Sequence, residues 1–132
     1  MTLDDTTYLD HFQRRDLGPE EFDHLGHLRM AWLHLNHYDF VEANKRVCEG
    51  IRDLALKFGA PGKFNYTLTE ALMRIMARRM EVTAYRDFGH FLLENRDLLK
   101  DTQAVLARHY SEDCLNSRMA RSGWVEPDLM PI

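Results

Sequence analysis

Between Asp39 and Gly59 the chain carries a pattern that admits one local structure. Phe40, Ala43, Val47, Cys48, Ile51, Leu54, Ala55 and Phe58 recur at helical spacing, and Glu42, Lys45, Arg46, Glu49, Arg52, Asp53 and Lys57 fill the positions between them. At about 100° per residue the first set lies on one face and the second on the other, which is an amphipathic helix with a solvated charged side. Asp39 has the side chain of an N-cap. Gly59-Ala60-Pro61-Gly62 supplies a glycine C-cap and a proline stop. Such a helix must bury its apolar side, so the segments that flank it determine the fold.

The segment before it, Phe22 to Tyr38, is apolar over most of its circumference and holds four of the seven histidines. Gly18-Pro19-Glu20-Glu21 reads as its start, with Asp16 as a cap, and the helix is predicted to run to about Tyr38. The short link at Asp39 predicts an antiparallel helical hairpin. Leu25, Leu28, Ala31, Trp32 and Leu35 share one arc. His24 lies inside the edge of that arc, and His27 follows one turn later at its border. His34 and His37 fall further round and are expected at the surface or behind the first pair.

Downstream, Lys63 to Glu70 opens a third helix, with Thr67-x-x-Glu70 as a capping box and Asn65 as a competing cap. Leu68, Ala71, Leu72, Ile75, Met76 and Arg79 form its inward stripe, and helix weakens at Val82-Thr83-Ala84. Met73, Met76 and Met80 read as adaptable packing. Short helices are predicted over Asp87–Glu94, with Phe88, Phe91 and Leu92 inward, and from Asp101 or Thr102 to about His109. Ser111 and Ser117 read as caps of further short helices. The tail GWVEPDLMPI is extended, because its two prolines exclude helix. Residues 1–17 read as a polar lead-in with a short turn at Tyr8 to Phe12. No segment alternates like a strand. The expected fold is all-α: residues 18–132 form one small helical bundle of three longer helices, short C-terminal helices and an extended tail, 123–132.

Composition narrows the function. The net charge is −4 and acidic and basic residues alternate, which argues against a nucleic-acid or anionic-membrane partner. Cys48 and Cys114 form neither a disulfide framework nor a zinc-cysteine motif. No signal peptide or transmembrane run is apparent, which gives a cytoplasmic expectation. A hydrolase built on Cys48 or Ser111 is disfavoured. Cys48 sits in an apolar stripe without activating cations, Ser111 has a capping role, and no Gly-x-Ser-x-Gly elbow exists.

The chemistry concentrates in His24-x-x-His27. Two imidazoles one turn apart can share an ion, as Glu-x-x-His pairs do in di-metal bundles. Imidazole suits iron, copper or zinc without choosing among them, and at least one more ligand is required. The plainer alternative is a packed or solvated pair.

Three stretches together resemble an uncharacterised family of small all-helical bacterial proteins: His24-x-x-His27-Leu28-Arg29-Met30-Ala31-Trp32-Leu33, Gly59-Ala60-Pro61-Gly62-Lys63-Phe64-Asn65-Tyr66-Thr67-Leu68-Thr69, and His109-Tyr110-Ser111 with Ser117-x-x-Ala120-Arg121-x-x-Trp124-Val125-Glu126-Pro127-Asp128-Leu129-x-Pro131. The resemblance covers most of the chain from Phe22 onward and implies no activity. It does imply a histidine at position 65, which beside His24 and His27 would make a three-histidine metal site. This chain has Asn65 there, a harder and weaker donor. His90, His109, Glu70 and Asp23 are the other candidates for a third ligand, and Thr67, Tyr66 or Glu70 would orient ligands or carry protons.

Two expectations follow. One is a metal-binding helical protein, in its fullest form a non-haem enzyme with a small-molecule substrate. The other is a non-catalytic helical binding or dimerisation module whose metal site is absent or degenerate. In the second, the tail from Trp124 to Ile132 either reaches another chain or packs on its own domain.

Overall fold

The computed structural model describes residues 3–132; the first two residues of the expected lead-in lie outside them. Nine α-helices and no strand are present among the described residues. The chain divides into two compact units, Met1–Phe64 and Asn65–Ile132.

The first unit holds α1 (Asp5–Gln13), α2 (His24–His37) and α3 (Phe40–Lys57), with 3-10 turns at Pro19–Glu21 and Pro61–Lys63. All three helices pack on one another. Helix α1 stands where a polar lead-in was expected. Asp4 caps it by accepting from Thr7 N at 2.8 Å, and Tyr8 and Phe12, one turn apart, put their rings into the core with Leu17. Two glycines make room for these rings. A Cβ at Gly50 on α3 would stand 2.1 Å from Phe12 Cζ. A Cβ at Gly26 on α2 would stand 2.1 Å from the Glu21 carbonyl oxygen and 2.8 Å from the Tyr8 hydroxyl. That hydroxyl reaches the carbonyls of Glu21 and Gly26, at 2.9 and 3.1 Å. Arg29 lies over the Tyr8 ring at 4.3 Å and pairs with Asp5 at 2.8 Å.

Helix α2 begins later than predicted. Pro19–Glu21 closes as a 3-10 turn, with the Glu21 carboxylate accepting from Gly18 N, and the helix starts only after Asp23, whose side chain accepts from Gly26 N at 2.8 Å. An aspartate placed to bond an N–H three residues on satisfies one of the free donors of a helix start, which Asp16 is too distant to do. The buried face of α2 also differs from the predicted arc. Leu28, Ala31 and Trp32 are buried as expected, but Leu25 is exposed, and Met30, Leu33 and His34 are buried. Helix α3 agrees with its pattern: Asp39 accepts from Glu42 N at 2.9 Å, and Ala43, Val47, Cys48, Leu54 and Ala55 are buried. Gly59 ends it with φ at 74°, the left-handed conformation that favours glycine.

The second unit comprises α4 (Tyr66–Val82), α5 (Phe88–Glu94), α6 (Arg96–Lys100), α7 (Thr102–Ala107), α8 (Glu112–Leu115) and α9 (Arg118–Ser122). Helix α4 packs on α7 and α9. Its cap is Asn65 rather than the Thr67 capping box: the Asn65 side-chain oxygen accepts from Leu68 N at 3.0 Å. Met73, Ile75 and Met76 are buried as packing residues. Arg79 is a bidentate partner of Asp97, at 2.8 Å for each bond, and also reaches Asn95. The Arg79 guanidinium holds the Asp97 carboxyl below the usual carboxylate range. Asp87, Ser111 and Ser117 cap α5, α8 and α9.

The tail after Gly123 carries no helix and is fastened to its own unit. The Thr67 hydroxyl, fully buried, donates to the Gly123 carbonyl and accepts from Val125 N. Tyr110 donates to the Val125 carbonyl at 2.6 Å, Leu129 N donates to the His109 carbonyl at 3.0 Å, and Asp128 accepts from both Ser111 N and the Ser111 hydroxyl. Trp124 lies edge-on to Tyr110 with the Arg74 guanidinium 4.0 Å over its ring.

A histidine-walled cavity in the first unit

The segment before α2, helix α2 itself, helix α3 and the turn after it line an open cavity of about 310 Å³. Pro19 and Phe22 come from the first of these, His27 from α2, Ile51, Ala55 and Phe58 from α3, and Ala60, Lys63 and Phe64 from the turn. The charge pattern of α3 turns Ile51, Ala55 and Phe58 inward, and Asp23 fixes where α2 starts and hence which way His27 faces. The wall is mostly hydrocarbon. Phe22 meets the His27 ring edge-on with centroids 4.6 Å apart, and tilts against Phe58 at 5.7 Å.

His27 and Lys63 are the polar members of this wall. The His27 Nε2 is buried and has no hydrogen-bond partner among the described residues. Burial, and then the neighbouring His24, hold its pKa down at about 4, against a smaller opposing effect of Asp23. The imidazole is therefore uncharged at neutral pH. Its place in the first turn of α2 acts in the same direction, since the helix N-terminus disfavours a cation. A buried polar atom without a partner is costly, on the order of 1–3 kcal/mol.

The sequence-predicted residues fall in different places. His24 is exposed, one turn before His27 and close enough for its charge to oppose one there. Asn65 belongs to the second unit, where its carboxamide is committed: the oxygen caps α4 and the nitrogen donates to the Leu115 carbonyl at 2.7 Å. The other candidate ligands also have structural roles. Asp23 caps α2. Glu70 accepts from Tyr66 and Arg74. His90 Nδ1 accepts from Arg86 N, and His109 Nδ1 bonds the Met130 carbonyl. Among the described residues no three His, Cys, Asp or Glu side chains form a group that could hold a metal ion. Cys48 is buried and donates to the Asn44 side chain, and the Ser111 hydroxyl donates to Asp128.

His34 differs most from its expected place. It is wholly buried, with Nδ1 2.7 Å from the Met30 carbonyl, the Phe12 ring edge-on at 5.2 Å and Tyr38 stacked at 5.9 Å. A carbonyl only accepts, so Nδ1 carries the proton. Nε2 is then a bare acceptor, buried without a partner among the described residues. The i,i+4 spacing to Met30 could have suggested this, since a histidine can bond the carbonyl one turn back, but on a helix with apolar residues nearly all round, periodicity does not select the buried side.

No family model, curated protein or solved structure matches this chain.

Proposed function

We propose that this chain is a non-catalytic helical module whose first unit binds a small, largely apolar molecule in the His27 cavity. The reading is carried by one observation: a mostly apolar pocket of about 310 Å³ is lined from four segments of the first unit, with His27 among its few polar members. Ligand pockets combine apolar walls with few placed polar groups, and this volume is at the small end of their range. The test is ligand-dependent stabilisation with the cavity open and filled. Small aromatic and alicyclic fragments raise the melting temperature of the parent chain, and Ala55→Leu, which fills the cavity from α3, abolishes the effect. A parent that no fragment stabilises, or an Ala55→Leu chain that responds equally, sinks the reading.

A second reading, metal binding by His24 and His27, is favoured by the neutral state of His27, because a metal takes the unprotonated ring. Water or a bound small molecule would complete the coordination. It predicts near-stoichiometric metal in protein purified without a tag or chelator, lost in His24→Ala with His27→Ala. Unchanged metal content in that double variant would dismiss it.

A further inference from the structure

Exposure grades across the cavity wall. Ala55 is buried, the rings of Phe22, Phe58 and Phe64 are half-buried, and Pro19 and Lys63 are exposed. The wall therefore runs from dry hydrocarbon at Ala55 to water at Lys63. An amphiphile enters such a cavity body first, because its hydrocarbon gains by leaving water whereas an ionised group is costly to bury. The charged end stays in solvent, and the protein decides which sign of charge is welcome there.

Lys63 carries the one formal charge in the lining, since His27 is uncharged at neutral pH. Its ammonium has no ion pair or hydrogen bond among the described residues, and it rides on a flexible stem that can follow a ligand's end. The acids of the neighbouring segment are turned elsewhere. Glu21 accepts from Gly18 N and Asp23 from Gly26 N. Glu20 lies back over Gly18, its carboxylate 2.8 Å from the place of a Gly18 Cβ. An anion at the wet side thus meets an unspent cation, and a cation meets repulsion.

We infer that the cavity takes a small monocarboxylate with an apolar body, the body against Ala55 and the phenylalanines and the carboxylate in water beside Lys63. This rests on the cavity being a ligand site at all, and the experiment separates the two. The full-length chain is titrated by NMR with 3-phenylpropionate, 3-phenylpropionamide, 3-phenylpropylamine and acetate, following the side-chain resonances of Phe22, Ile51, Ala55 and Phe58. The acid, amide and amine share one body and differ at the end, and acetate has the charge without the body. At low salt the acid binds about two- to five-fold tighter than the amide, the worth of one exposed ion pair, and the amine binds weakest. Salt at about 1 M brings acid and amide level in the parent chain. Lys63→Gln, an exposed change, does the same at low salt, and Lys63→Glu puts the amine first. Ala55→Leu removes the binding of all of them. An amide or amine that binds as tightly as the acid overturns the ligand class and leaves the ligand site standing, as does an acid preference that survives salt or Lys63→Gln. Acetate that shifts these resonances as strongly as 3-phenylpropionate reveals a surface anion site and overturns the apolar body. If no probe moves the resonances at millimolar concentration while neutral aromatic fragments still raise the melting temperature, the class alone falls; if those fragments fail too, class and site fall together.

Discussion

The buried His34 makes the first unit sensitive to acid, and the size of the effect follows from its surroundings. Burial, with Arg46, His37 and Arg15 adding to it, holds its pKa at about 4, against the opposing bond to the Met30 carbonyl. In the unfolded chain the ring titrates near its ordinary value of about 6.5. Above that pH both states are neutral and His34 imposes no proton-linked cost. Between about 6.5 and about 4 the unfolded chain takes up a proton that the folded chain refuses, so stability falls with pH. At about 1.4 kcal/mol per unit the loss reaches about 3 kcal/mol by pH 4, and below that pH His34 adds nothing further. That is a large share of a typical total of about 5–15 kcal/mol. His27, held down in the same direction, adds a loss of the same sign. The decisive variant is His34→Phe, which keeps the ring contacts with Phe12 and Tyr38 and removes the titration. It forfeits the bond to Met30, about 1 kcal/mol, but also the buried bare nitrogen, so the two chains match within about 1 kcal/mol at pH 7.5. At pH 5 the variant is the more stable. Urea unfolding followed by Trp32 fluorescence, in a Trp124→Phe background that isolates the first unit, gives the pH slopes. Equal slopes for parent and variant between pH 7 and 5, or a His34 Cε1 proton that titrates near 6.5 by NMR, would refute the argument.

Other consequences are as direct. Gly50→Ala drives a Cβ into the Phe12 ring and costs about 1–3 kcal/mol by overpacking; in urea unfolding, Phe12→Leu in the same chain recovers part of the loss, and strict additivity would contradict the contact. Thr67→Val keeps the shape of the side chain but strands the Gly123 carbonyl and Val125 N–H, for about 2 kcal/mol of loss in the second unit. A chain truncated after Gly123 is destabilised without a change in oligomeric state; light scattering that shows a parent dimer becoming monomeric would instead assign the tail to a partner. Asp23→Ala removes the α2 cap, about 1 kcal/mol, and takes away the one charge that favours protonated His27, so the His27 pKa falls further by NMR titration.

What could be read from the sequence was what neighbours in sequence decide. Helix α3, its Asp39 cap and its Gly59 stop are written in spacing and in side chains that bond their own backbone, and the same holds for the caps Ser111 and Ser117. Helix α1 escaped because its acidic residues dominate a short segment whose two core rings, Tyr8 and Phe12, make only one helical repeat. The start of α2 was misplaced because Pro19 and its acids suit a 3-10 turn as well as an α-helix. The capping box at Thr67 was a real pattern overridden by tertiary demand: Asn65 caps the helix, and the threonine hydroxyl goes to the tail. The cavity was illegible because its wall is drawn from segments up to 45 residues apart, Pro19 to Phe64, and no periodicity records that they meet. His24 and His27 stand out by their spacing alone, and the pattern could not tell the exposed one from the one that lines the cavity.

The fastening of the tail has a consequence for how the chain is made. Synthesis releases the N-terminus first, and domains fold as their residues emerge. Phe12 and Gly50, which meet in the first unit, lie within its Met1–Phe64 span, so that unit has its contacts before the second is complete. Thr67 must wait for residues 123 and 125, and His109 for residues 129 and 130. A chain that stops before residue 123 therefore has a finished first unit and an unlatched second. Its defect would be quality control and turnover of one half of the molecule, while the His27 cavity in the other half stays intact.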